Sequence, residues 1–331
     1  MHVTWILAAL GAILCIGVAY QLAGLLLDRR HFPAPGKLID VDGQRFHAHI
    51  MGPPLSEKAS TPVVFEAGIG ATSLSWRLVQ SEIAKTRQTI SYDRAGLGWS
   101  DSRNTPRDLD QLVEELRTLL NRTGAATPRI LVAHSFGGLV AVHYASRYPQ
   151  ELAGIVLVDP VSPSEWAQPS ARSVAMLRRG AALARFGQLL AYLGLVRFAL
   201  MLASQGARTA PKLIARATSG RGGQAFTERM VGQIRKLPPE VWPMIQAHWC
   251  DPKCFRTIAR QLAMLPECAT AAAKLGQIET PLVLLSANGE AELARFFPHS
   301  RVEVIPNSGH WIQLDQPQTV ICAIRELDAG L

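Results

Sequence analysis

Cysteine, aromatic and charged residues are all scarce in this 331-residue chain. Five cysteines are too few for a disulfide scaffold, and no paired His or Cys spacing suits a zinc site. Charged residues make up 18% against 48% apolar ones, which excludes disorder as the main state. Such a chain has ample material for the core of one large α/β domain or two small ones. The formal net charge of +8 could serve nucleic acid, anionic lipid or neither, but no nucleic-acid motif accompanies it. Cys250 and Cys254, in C-D-P-K-C, read as a local disulfide or as two buried thiols.

Charge is absent altogether from Thr4 to Leu27, where Gln21 is the only strongly polar side chain. A helix of that length measures about 36 Å at ~1.5 Å per residue, enough for a hydrocarbon core of roughly 30 Å. A cleaved signal sequence would have a shorter apolar run, a basic segment before it and a small-residue cleavage site, and all three are missing. A core helix would carry a polar stripe. Residues 1–30 are therefore expected to be a single-pass membrane anchor. Arg29 and Arg30 follow the run, whereas only His2 and the α-amine precede it, a small asymmetry leaning towards a cytoplasmic catalytic domain.

Beyond the apolar run, strand and helix patterns alternate. Residues 28–36 read as a linker, and Lys37–Asp40 and Gln44–Ile50 as two strands joined at Asp42-Gly43. Strands are expected at Val63–Glu66, Thr89–Tyr92, Arg129–Ala133 and Gly154–Val158. The helices between them fall at Leu74–Lys85, Leu109–Asn121 and Gly138–Arg147. This order argues for a mostly parallel sheet with helices on both faces. About 120 residues then read as helices broken by Gly and Pro before strands resume at Leu282–Leu285 and Arg301–Ile305, with a last helix near Gln316–Leu327. The expected organisation is thus a core of residues 31–160 and 281–331, with a helical lid over 161–280. Ser219–Gly223 (SGRGG) follows no strand, so a surface loop suits it better than a phosphate loop.

Four segments carry chemistry. In Leu131-Val132-Ala133-His134-Ser135-Phe136-Gly137-Gly138 a buried strand runs into a serine followed by glycines and a helix. A tight strand-to-helix turn of this kind exposes a serine hydroxyl and needs small residues on either side. The competing reading is an ordinary serine N-cap. Val63-Val64-Phe65-Glu66-Ala67-Gly68-Ile69-Gly70 is a strand ending in a glycine turn, and Tyr92-Asp93-Arg94-Ala95-Gly96-Leu97-Gly98-Trp99-Ser100-Asp101 is another. Near the C-terminus, Asn307-Ser308-Gly309-His310 puts a histidine in a loop after the last strand.

Together these motifs resemble the serine-type α/β-hydrolase superfamily, in its branch with an E-x-G-x-G turn, a Y-D-R-x-G-x-G-x-S-D segment and an H-S-x-G-G nucleophile elbow. The resemblance spans roughly residues 37–327. It implies Ser135 as nucleophile, His310 as general base, and the backbone N–H groups of Phe136 and Ile69 as oxyanion donors. Two departures stand out: Ala133 where glycine is usual, and Glu66 where many relatives have histidine. The acid is open between Asp159, at the end of strand Gly154–Val158, and Glu290, in the loop after Leu282–Leu285, where most relatives carry an aspartate. Asp93 and Asp101 read as turn residues. His134 reads as packing or bonding near the elbow, and His47, His49, His143, His248 and His299 match no metal spacing.

The implied chemistry is an acyl-enzyme mechanism that needs no metal or organic cofactor. The expected function is cleavage of an ester with an apolar acyl group or a lipid-like substrate. The alternatives are amide, lactone or C–C bond hydrolysis in the same site, or a catalytically silent relative serving as a binding protein. An aspartate nucleophile would instead point to a dehalogenase or an epoxide hydrolase. Between Ala171 and Lys236 stand twelve Arg or Lys and one acid, Glu228, so the positive charge is concentrated in the lid. Beside an anchor, a basic and apolar lid suits an anionic lipid surface; the plainer reading is a solvated basic face.

Overall fold

The computed structural model describes residues 2–53, 61–103, 107–204 and 232–330. The SGRGG segment, and with it much of the basic stretch, lies outside the described residues. The chain forms two compact units: residues 34–178 with 260–331, and residues 1–33 with 179–259.

The larger unit is built on eight strands, β1 (Lys37–Val41), β2 (Gln44–Met51), β3 (Val63–Glu66), β4 (Thr89–Tyr92), β5 (Arg129–His134), β6 (Leu152–Val158), β7 (Leu282–Ser286) and β8 (Ser300–Val304). They form one sheet in the order β1-β2-β4-β3-β5-β6-β7-β8. β1, β2 and β4 pair antiparallel, while every pairing from β4 to β8 is parallel. β3, β4 and β5 are buried along their whole length, because helices cover both faces and no polar alternation is required. One face holds a cluster with Val64, Leu131, Leu157 and Leu284, the other a cluster with Phe65, Val132, Val156 and Val283. Alternate residues of the same strands thus feed two cores.

The expected helix at 74–85 divides into a 3-10 turn, Ser73–Trp76, and a short helix α2 (Arg77–Ile83). The next helix, α3 (Leu109–Thr123), is fixed at both ends. Asp108 and Gln111 form a capping box, and Gly124 closes the helix at φ 73°. α4 (Gly137–Arg147) leaves the end of β5 and buries Leu139, Val140 and Tyr144.

In the smaller unit, α1 runs from His2 to His31 and is long and apolar enough to cross a membrane. The expected linker at 28–36 is therefore corrected: Asp28–His31 continue the helix, because nothing breaks it until Pro33. Between β6 and β7 the described residues form five further helices, shared between the two units. They are α5 (Pro163–Ala167), α6 (Ala171–Tyr192), α7 (Leu195–Ser204), α8 (Trp242–Cys250) and α9 (Pro252–Ala273). Cys250 and Cys254 are free and buried, so of the two readings the thiols hold.

Candidate active site

The parallel strands all end on one edge, and four segments meet there. β5 runs into Ser135, whose φ of 54° lies in the left-handed region that a side-chain-bearing residue avoids. The turn is held by its neighbours: the Ser135 N–H donates to the Val158 carbonyl at 3.1 Å, and the Gly138 N–H donates to the Ser135 carbonyl at 2.9 Å. A side chain at Gly137 would collide with the Ala67 carbonyl oxygen and with Glu66. The small residue after the serine is therefore a steric requirement. Ala133, the departure before it, is fully buried and accommodated.

β6 ends in the same manner. Asp159 has φ 42°, and its N–H donates to the Leu285 carbonyl at 2.7 Å. One carboxylate oxygen, Oδ1, accepts the Ala287 N–H at 2.9 Å; the other, Oδ2, lies 2.6 Å from His310 Nδ1. His310 Nε2 lies 3.0 Å from Ser135 Oγ. With Nδ1–H donating to the carboxylate, Nε2 carries the lone pair that the serine O–H can use. Burial alone would raise the Asp159 carboxyl, but the bonds from His310 and the Ala287 N–H outweigh it and hold it below the usual range.

Glu290 stands elsewhere. It is exposed, its N–H donates to Asn288 Oδ1 at 3.0 Å, and its carboxylate accepts the Glu292 N–H at 3.2 Å. Of the two candidate acids, only Asp159 is beside His310. The histidine loop is tied down by Asp315, whose Oδ2 accepts the Gly309 N–H at 2.7 Å. His134 holds it from the other side: Nε2 donates to the His310 carbonyl at 2.8 Å. The reading of His134 as a residue bonding near the elbow agrees with this geometry. Burial, with nearby His310, pushes its pKa down to about 3, so the ring stays neutral.

Sequence reasoning missed Arg94. Its guanidinium is buried against Glu66, donates to the Ala67 carbonyl at 2.8 Å and also to the Gly68 carbonyl. The Gly68–Ile69 peptide is planar and trans, so fixing its carbonyl towards Arg94 turns the Ile69 N–H the opposite way. Gly68 itself faces Ser135: a Cβ there would stand 3.3 Å from the serine Cβ. Arg94 also lies 5.2 Å from the centroid of the Phe136 ring. One cation thus contacts both segments whose amides are the expected oxyanion donors. Glu66 neutralises it and accepts from the Tyr92 hydroxyl; burial nonetheless raises the Glu66 carboxyl. The available signal was the Glu66 departure itself, since a buried acid at that turn requires a buried base.

Asp93 does more than form a turn. It accepts the N–H groups of Ser73 and Trp99 at 2.7 and 3.1 Å, and it pairs with buried His47 at 2.8 Å. A side chain on Gly98 would strike its carboxylate, which explains that glycine. Burial lowers the His47 pKa, but Asp93 overrides it and the net shift is upward. Among the described residues no cluster of His, Cys, Asp and Glu could hold a metal.

A strained serine at a strand end, a histidine between it and a carboxylate, and an eight-stranded, mostly parallel sheet define a class of protein. The model of the alpha/beta hydrolase family matches residues 63–323, and the chain belongs to that family. It is 30% identical over 131 residues to the uncharacterized protein YbdG of Bacillus subtilis, covering 40% of this chain and 39% of that protein. It is 32% identical over 108 residues to the (Lyso)-N-acylphosphatidylethanolamine lipase of Mus musculus, covering 31% of each. The chain therefore spans less than half the length of these curated relatives. Among solved structures, a thermophilic esterase from Thermogutta terrifontis aligns with a TM-score of 0.60 at 22% identity, covering 87% of this chain and 94% of that one.

Proposed function

We propose that this protein is a membrane-anchored serine hydrolase that cleaves an ester with an apolar acyl group or a lipid-like substrate. The observation carrying the proposal is the continuous contact from Ser135 Oγ through His310 to Asp159, at 3.0 and 2.6 Å. In this reading His310 takes the serine proton as Oγ attacks the ester carbonyl, and Asp159 keeps the ring in the required tautomer. The amides of Phe136 and Ile69 stabilise the tetrahedral oxyanion, each worth on the order of 3–4 kcal/mol. The alcohol leaves with the proton from His310. Water, deprotonated by the same ring, then releases the acid and restores the serine.

Residues 161–280 are read as the lid inserted between β6 and β7, and α1 as the anchor, with the catalytic domain on the cytoplasmic side. The mouse relative named as a lipase supports a lipid-like substrate. Labelling with a fluorophosphonate probe tests the proposal. Covalent labelling of the full chain, lost in Ser135→Ala, is expected; folded protein that takes no label would mark a silent relative.

A further inference from the structure

α1 is not a bare rod. Gly17, Gln21, Gly24 and Asp28 all lie on one stripe of the helix, at spacings of four, three and four residues. That stripe faces the inserted helices of its own unit. Gly17 and Gly194 meet backbone to backbone: a Cβ on Gly17 would stand 2.6 Å from the Leu193 carbonyl oxygen, and one on Gly194 2.8 Å from that of Gly17. Gly24 lies against the Arg197 side chain. Gln21, the lone polar residue of the apolar run, is buried; it donates to the Cys250 carbonyl at 2.7 Å and accepts from Arg197 Nε at 3.2 Å. Arg197 in turn pairs with Asp28 at 2.6 Å.

These contacts fix a depth. Asp28 is the first charge after the apolar run and marks the polar boundary of the span. Gly17 lies eleven residues earlier, about 16 Å along the helix axis at ~1.5 Å per residue, or half of a roughly 30 Å hydrocarbon core. The bend between α6 and α7, at Leu193 and Gly194, is held at that level. Around it Phe186, Leu189, Tyr192, Leu195 and Phe198 are exposed by 43–52%, and Leu22 and Leu26 of α1 are more exposed still. Among the described residues nothing lies within 4 Å of a Cβ built on Gly11, nearer the start of α1. α6 and α7 together are apolar enough for a span but meet at 86° between Tyr192 and Leu195, so the pair turns at the bend instead of running on as one straight span.

We infer that the bent α6–α7 pair is a re-entrant membrane element that inserts its bend into the hydrocarbon of the leaflet next to Asp28, reaching about mid-bilayer. The inference rests on the anchor reading of α1. Near the bend Arg197 is matched by Asp28 and Gln21 and the Cys250 carbonyl by Gln21, while exposed Arg185, two turns before Tyr192, has a long stem that lets its charge reach towards the leaflet surface. The bilayer then receives an apolar surface formed by α1 and the bend.

Nitroxide labels on the full chain in phosphatidylcholine–phosphatidylglycerol vesicles test this. Cys15→Ala and Cys322→Ala remove the two exposed thiols. Labels then go to Leu195→Cys or Tyr192→Cys at the bend, Ile13→Cys in the anchor and Glu303→Cys on β8 as the aqueous control. Collision with a charged nickel chelate should be on the order of tenfold weaker at the bend and in the anchor than at Glu303, because hydrocarbon excludes the hydrated chelate. Collision with oxygen should be strong at the same two sites. A bend open to the chelate beside a protected Ile13 position would overturn the inference and leave the anchor intact. Chelate access at both would overturn the anchor reading and the inference with it. A bend closed to chelate and oxygen alike would mean that protein, such as a second copy of the chain, covers it, and that outcome overturns the inference too.

Discussion

In the unit of residues 34–178 and 260–331, the side chains around Ser135 stand between backbone atoms that leave them no choice. In the unit of residues 1–33 and 179–259, whole helical faces are apolar and exposed. The two regions use glycine differently too. Gly98 and Gly137 are small because a carboxylate or a carbonyl fills the space a side chain would need for the turn to exist. Gly17 and Gly194 are small because two helices approach each other there. The first kind of constraint fixes an atom to a fraction of an ångström. The second fixes only a surface, and its energetic consequences are correspondingly smaller.

The sharpest way to break this contrast is at the acid. Asp159→Asn should lower kcat for a small soluble ester by about four orders of magnitude, since the amide cannot hold His310 in its working tautomer. Glu290→Gln, on an exposed carboxylate away from His310, should leave kcat within about twofold. The reverse ranking would reassign the acid. Steady-state kinetics on the two variants, with circular dichroism to confirm the fold, decides it.

Next in size is Arg94. Replacing it by Met, paired with Glu66→Gln so that no buried charge is orphaned, removes the clamp on the Ala67 and Gly68 carbonyls. If that clamp aims the Ile69 amide, kcat should drop on the order of 100-fold with little change in KM, as for loss of one oxyanion donor. An unchanged kcat in a folded double variant would show that the turn keeps its shape unaided. A rise in KM alone would make Arg94 a part of the binding pocket instead.

Legibility followed the same division. The succession of strands along the chain, the elbow at Ser135, the His310 loop and Asp159 as one of two candidate acids could be read because tight turns tolerate few residues, and those residues are small or distinctive. Asp159 carries a positive φ at a strand end much as Ser135 does, yet aspartate is common there, so the sequence alone left Glu290 in play. Arg94 escaped notice because its role depends on which carbonyls lie across the sheet edge, a long-range fact with no local pattern. In the smaller unit, Gln21 was visible as an oddity in an apolar run, but its partners, Arg197 and the Cys250 carbonyl, lie more than 170 residues away. The extent of α1 past Asp28 was misjudged for a related reason: charge near a presumed boundary resembles a linker until the ion pair that uses it is seen.

The smallest effect belongs to that ion pair, and it sharpens the contrast from the other side. Asp28 and Arg197 are 20% and 13% exposed, so their attraction is only partly screened and neither charge is fully solvated. Asp28→Asn leaves the guanidinium with Gln21 as its remaining named partner, whereas Asp28→Asn with Arg197→Met removes both charges and keeps an apolar stem. The single variant should therefore loosen the packing of α7 on α1 by about 1–3 kcal/mol, and the double variant by less, because an uncompensated cation costs more than none. Hydrogen exchange of the 195–204 backbone in detergent micelles reads this locally, and the Ser135 region should keep its protection in both variants. If the double variant is the looser of the two, the pair is a net contributor to the packing of α7 on α1. If protection around Ser135 falls as well, the two units are coupled in stability, and the contrast between an exacting core and a permissive helical unit would not survive.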